Sequence, residues 1–89
     1  MCTYQTTKLS LQGSGKGADG WFRVTDASVY FDHPVHAEAE HTLNIDLLNP
    51  ARGPSWRVAV ELDPTSARAL ADAILATLDG APAALNAGV

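Results

Sequence analysis

Residues 27–48, ASVYFDHPVHAEAEHTLNIDLL, contain two runs in which apolar and polar side chains alternate, separated by a segment that carries all three histidines of the chain. Alternation with period two is the pattern of a strand with one face buried and one in water. A strand over Trp21–Asp32 places Ala27, Val29 and Phe31 on one side and Ser28, Tyr30 and Asp32 on the other. A second over His41–Leu48 turns Leu43, Ile45 and Leu47 inward and Thr42, Asn44 and Asp46 outward. Pairing the two as a hairpin with matched apolar faces sets Phe31 opposite Leu43 and Val29 opposite Ile45.

The same pattern extends outward from this hairpin. Gln5–Leu11 alternates, with Leu9 and Leu11 against Thr6, Lys8 and Ser10, and reads as the first strand. GSGKGADG, Gly13–Gly20, has four glycines in eight residues and is expected to be a flexible connection. After the turn-rich NPARGP, Trp56–Leu62 forms a fourth strand with Trp56, Val58, Val60 and Leu62 facing one way. Trp21 and Trp56 flank strands and are expected to close the ends of the core.

In DPTSARALADAILATLDG the apolar positions Ala67, Leu70, Ala71, Ile74, Leu75 and Leu78 recur at helical spacing. Asp63 is placed as N-cap, Pro64 at the first helical position, and Gly80 at the end. These elements predict one α+β domain over residues 1–80: a four-stranded antiparallel sheet in β-β-β-β-α order, with the amphipathic helix packed on its apolar face. Residues 81–89 form a short Ala-rich tail that docks on a neighbour or frays. One helix covers four strands incompletely. The exposed rim of the apolar face, or the other face with Tyr4 and Tyr30, is therefore a candidate contact in a homo-oligomer.

Composition narrows the partners. At 89 residues the chain is near the lower limit for folding without staples, metal or a second copy. Six basic against ten acidic residues, a formal charge of −4, argue against nucleic acid or an anionic membrane as the main partner. Cys2 is the only cysteine, so no intramolecular disulfide forms, and a reducing, cytoplasmic setting fits. MCTYQTTK lacks a basic region followed by an apolar run, and no stretch approaches the ~20 apolar residues that span a bilayer.

The hairpin register also sets His33 opposite His41, with His36 in the intervening loop. Opposed side chains on one face have Cβ atoms about 4.5–5.5 Å apart, a separation from which two imidazoles reach one ion. His33, His36 and His41 are thus candidate ligands for zinc, iron or copper, joined by Cys2 if the first strand runs beside the second. Glu38, Glu40 or Asp32 would add a ligand or hold a ring through its second nitrogen. On an enzyme reading, a metal with an open position activates water or oxygen or polarises a carbonyl, and Glu38 or Glu40 is the base. The alternative is a solvated turn that happens to be rich in histidine, with Cys2 a small half-buried residue.

Other motifs are weaker. GSGKG does not satisfy the Walker pattern and leads into a strand, so no helix N-terminus receives a phosphate. Tyr30, Asn44, Asp46, Arg57 and Glu61 share the polar sheet face; they would line a small-molecule cleft under a partner subunit or stand solvated. There is no GxSxG, HExxH or dinucleotide fingerprint.

The runs MCTYQTTKLSLQGSGKGADGWF, VYFDHPVHAEAEHTLNIDLLNP and VELDPTSARALADAILATL resemble a family of small uncharacterised proteins from high-GC bacteria, a domain of unknown function. The resemblance covers nearly the whole chain and implies a complete single-domain protein. It brings no activity, cofactor or site residue. Two readings therefore stand side by side: a small metal-dependent protein built on the histidines, and a non-catalytic homo-oligomeric binding or accessory module.

Overall fold

The alternating runs become four antiparallel strands in a meander. β1 spans Thr6–Gly17, β2 Gly20–Asp32, β3 Thr42–Leu48 and β4 Arg57–Leu62, in spatial order β1-β2-β3-β4. A helix, α1, follows over Pro64–Gly80, and a 3₁₀ turn, Pro50–Arg52, sits between β3 and β4. This computed structural model describes residues 5–33 and 41–85. The hairpin register is the expected one, with Phe31 against Leu43 and Val29 against Ile45. Leu43 in turn pairs with Leu62 and Ile45 with Val60, while Ala27 pairs with Leu9 on β1. One face of the sheet is therefore apolar across all four strands.

The glycine-rich stretch is not a connection. β1 runs on through it to Gly17, and only Ala18 and Asp19 separate it from β2. Gly20 has φ 109°, a conformation that favours glycine, and neither turn residue has positive φ, so the turn is not of the primed kind. Between Ser10 and Gly13 the register shifts, two residues of β1 opposing Thr25 alone. This bulge bends the ribbon and brings the distal part of β1 against the start of β4. A Cβ on Gly17 would lie 3.1 Å from the Arg57 carbonyl oxygen, and one on Gly15 3.0 Å from Val24 Cγ2. Glycine is required here for close packing, against β4 backbone at Gly17 and against the Val24 side chain at Gly15, a role its sequence signature does not separate from flexibility.

The bulge also resets which residues of β2 point inward. Phe22 and Val24, each 3% exposed, form the core with Ala27, whereas Trp21, their outward neighbour, is 68% exposed and closes nothing. Trp56 takes the expected place: its ring tilts against Phe22 at 5.8 Å, and the Arg52 guanidinium lies over the same ring, 4.1 Å from its centroid. Asn49, almost fully buried, ties the loop before β4 to β2 by donating from Nδ2 to the Arg23 carbonyl at 3.0 Å. The core thus sits at the β1–β2 hairpin end.

The helix begins as read. Asp63 accepts a hydrogen bond from the Ser66 amide at 2.7 Å, and Pro64 occupies the first turn. At the other end Gly80 lies inside the helix, and Ala81 is the cap, in extended conformation with ψ 149°. The residue before a proline is pushed out of the helical region, so Pro82 ends α1 one residue later than the glycine suggests. A single residue, Asp63, links β4 to α1. The helix stands over the apolar sheet face, yet none of its residues is buried. No helix among the described residues is long and apolar enough to cross a membrane.

Candidate functional site

Three places bring chemistry-bearing or apolar side chains together. The first is the open end of the β2–β3 hairpin. His33 and His41 emerge from neighbouring strands on the side of Phe31, and their rings stack at 4.5 Å with 30° between planes. His41 also stacks on Phe31 at 5.7 Å and 10°. The aromatic column Phe31–His41–His33 follows from the register and continues the apolar face beyond its last aliphatic pair. Asp32 Oδ1 accepts from the His33 amide at 2.7 Å, which holds the chain where it leaves β2.

Stacking presents ring faces to one another, whereas two ligands of one ion must converge their in-plane nitrogen lone pairs. One ring has to turn about its side-chain bonds before His33 and His41 share a metal. The other residues singled out in the sequence, Cys2, His36, Glu38 and Glu40, lie outside the described residues, as does Tyr4. Among the described residues no group of three or more His, Cys, Asp or Glu is placed to hold a metal ion.

The second place is a cleft of about 480 Å³ between α1 and the sheet. Val29, Phe31, Leu43, Ile45 and Leu62 form its floor, and Ala67, Leu70, Ala71 and Ile74 its roof, with Arg68 and Asp72 at the mouth. Phe31 is common to both sites, so the histidine column adjoins one end of the cleft. The helix face turned to the sheet carries alanine at 67 and 71, and these small side chains leave the gap unfilled. Sequence periodicity located the face but not the space, because a stripe of apolar residues specifies direction and says nothing of distance. Ile74 in the roof is 52% exposed, and Leu75 and Leu78, further along the same side of α1, are 60% and 48% exposed.

The third place is the opposite sheet face. Tyr30 donates its hydroxyl to Asp46 Oδ2 at 3.2 Å, and Arg57 Nη2 donates to Asp46 Oδ1 at 2.8 Å. Burial and then the Asp46 charge raise the Tyr30 phenol above the ordinary tyrosine value, with Arg57 pulling the other way. The Asp46 hydrogen bond raises Arg57 further, which leaves it cationic at any working pH. Nearby, Thr42 Oγ1 donates to Asn44 Oδ1 at 2.7 Å, both side chains buried. The arrangement satisfies its own charges and leaves neither a base nor a nucleophile poised.

No curated protein and no solved structure matches the chain. A family model matches residues 1–87, and the chain accordingly belongs to DUF6295, a family of unknown function.

Proposed function

We propose that this protein is a non-catalytic, homo-oligomeric binding module whose cleft and helix are covered by a second copy. The observation that supports it is the exposed apolar stripe of α1: Leu70, Ile74, Leu75 and Leu78 are each more than two-fifths exposed beside a sheet face that is only half-buried. Contiguous apolar surface of this kind marks an interaction site. Cys2 as the only cysteine fits a reducing, cytoplasmic setting for such an assembly. The test is sedimentation equilibrium across a hundredfold range of concentration, with wild type and Leu75→Glu. Self-association that Leu75→Glu abolishes, with the circular dichroism spectrum unchanged, is the expected outcome. A wild-type chain that stays monomeric throughout refutes the module.

A second reading is favoured by one specific contact, the 4.5 Å stack of His33 on His41. Here the pair, with His36 and Cys2, holds a divalent transition metal, zinc, iron or copper, and Glu38 or Glu40 serves as base. Elemental mass spectrometry on untagged protein purified without chelator tests it. Near-stoichiometric metal that disappears in His33→Ala/His41→Ala supports the site; metal-free protein that rejects added zinc, iron and copper removes it.

A further inference from the structure

We infer that the cleft between α1 and the sheet binds one small amphipathic carboxylate, its hydrocarbon body lying between the alanines of the roof and the sheet floor and its carboxylate on Arg68. The inference rests on the binding part of the module reading above and names what the module holds. The second copy of that reading covers Leu75 and Leu78, which lie beyond the cleft lining and stay exposed.

Space gives the first reason. Protein interiors are packed as densely as organic crystals, with few voids larger than a water molecule. The cleft holds about 480 Å³, within the ~300–1,000 Å³ of small-molecule sites. At 100° per residue its roof runs, in order across the helix, Leu70, Ile74, Ala67, Ala71, Arg68 and Asp72. The two alanines therefore stand in the middle and leave the room there, with the large aliphatic pair on one side and the charged pair, at the mouth, on the other. The floor, Val29, Ile45 and Leu62 among it, is apolar throughout. Water against such a floor lacks the polar partners it needs, whereas a hydrocarbon chain gains contacts along every wall.

Charge gives the second. Of the two charged residues at the mouth, Arg68 is the nearer to the alanines, and Asp72 lies about 40° further round the helix. Among the described residues Arg68 makes no ion pair, Asp72 one turn along included. Its planar fork of donors matches the two oxygens of a carboxylate. Asp72 beside it, on a chain of formal charge −4, weighs against a head with more than one negative charge, such as a phosphate. The ligand class is therefore an aliphatic chain with a single anionic end.

The experiment titrates the protein by calorimetry with decanoate, decanol and decyltrimethylammonium, each below its micellar concentration, so that one hydrocarbon chain carries three different heads. Decanoate is expected to bind most tightly, a single molecule per chain. Arg68→Gln, at an exposed position, is expected to weaken decanoate roughly tenfold through loss of a charge-assisted hydrogen bond, and to leave decanol unchanged. Ala71→Leu fills the roof and is expected to abolish binding of all three with the circular dichroism spectrum of wild type; should it not fold, the head groups and Arg68→Gln still decide. Three heads bound alike, a preference for the ammonium, no binding at all, or Arg68→Gln binding decanoate as wild type does, each overturns the site. Sedimentation of the same samples keeps the two readings apart. A chain that self-associates without selecting decanoate overturns the site and leaves the module standing, whereas a strict monomer that selects decanoate supports the site and removes the second copy.

Discussion

Replacing Gly17 by alanine should destabilise the protein, although Gly17 belongs to a stretch whose composition suggests a flexible loop. The residue does not have positive φ, so alanine fits its backbone conformation. On that count alone the change would stabilise by about 0.4–1 kcal/mol, because alanine restricts the unfolded chain. The added methyl, however, would sit 3.1 Å from the Arg57 carbonyl oxygen and 3.4 Å from Phe22 Cε1. The first is backbone of β4, held in the ladder with β3, and the second belongs to a ring packed in the core against Trp56. Neither can swing away as the tip of a surface side chain would. Overpacking of this kind costs about 1–3 kcal/mol, so the net effect is a loss of about 1–2 kcal/mol. In a domain of this size that lowers Tm by roughly 5–15 °C.

Gly13→Ala supplies the control. It lies in the same strand, four residues away, and a Cβ there meets nothing within 4 Å. The entropic term stands alone, and Tm should rise by a few degrees. Thermal unfolding followed by circular dichroism, at one fixed protein concentration, compares the two. If Gly17→Ala proves as stable as wild type, the close approach of β1 to β4 is wrong, and the stretch is the loop its composition suggests. Opposite signs for the two alanines require the bent ribbon.

Asn49→Ala removes the Nδ2 donor that satisfies the Arg23 carbonyl in a buried setting, and should cost about 1–2 kcal/mol, read as a lower urea midpoint with unchanged m. The Tyr30 phenol, raised by burial and then by Asp46, binds its proton more tightly in the folded state. The stability it contributes is complete below the ordinary tyrosine range and is lost as pH rises through the higher folded value; ultraviolet titration of a Tyr4→Phe variant should show Tyr30 ionising above that range, and Asp46→Asn should bring it down. Asp63 behaves in the opposite sense: the Ser66 amide hydrogen bond holds its carboxyl below the ordinary aspartate value. Its contribution is present above the ordinary carboxylate range and disappears as pH falls through the lowered folded value. Asp63→Ala should therefore lose stability at neutral pH and less of it in acid, which guanidinium melts across pH will measure.

Much of the sheet was legible in the residues because period two leaves little freedom. With Phe31, Val29 and Ala27 on one face and Leu43, Ile45 and Leu47 on another, only one antiparallel register keeps both faces dry, and it is the observed one. The same register placed His33 beside His41 without any knowledge of the turn between them. The first half of β2 was misjudged for a related reason. Alternation carried back from Ala27 points Trp21 inward, but the bulge opposite Thr25 reverses the parity and brings in Phe22 and Val24. A bulge is set by how two strands meet, and one strand's sequence does not display it. Gly17 is opaque likewise, since what demands glycine there is the Arg57 carbonyl, forty residues along the chain, and at Gly15 it is Val24 on the neighbouring strand.

The helix poses a different problem, one of cover. Its N-cap and its apolar stripe are where the sequence places them, and the one-residue link from β4 fixes where it starts over the sheet. Yet the buried hydrophobic core among the described residues consists of Phe22, Val24 and Ala27, all from β2 at the far hairpin. Four large aliphatic side chains of α1 and the floor formed by Val29, Leu43 and Ile45 contribute little burial to that core. Alanines at 67 and 71 keep the helix from filling its own cleft, so larger residues there would be the simple solution for a chain that folds and works alone. The large residues Ile74, Leu75 and Leu78 follow on the same side of the helix, with Arg68 and Asp79 bordering them, and stay about half exposed. At 100° per residue Ala67, Ala71, Ile74, Leu75 and Leu78 form a single apolar side of α1, so what the chain lacks is cover for that one side, which small residues at 67 and 71 and the cleft beneath them leave incomplete.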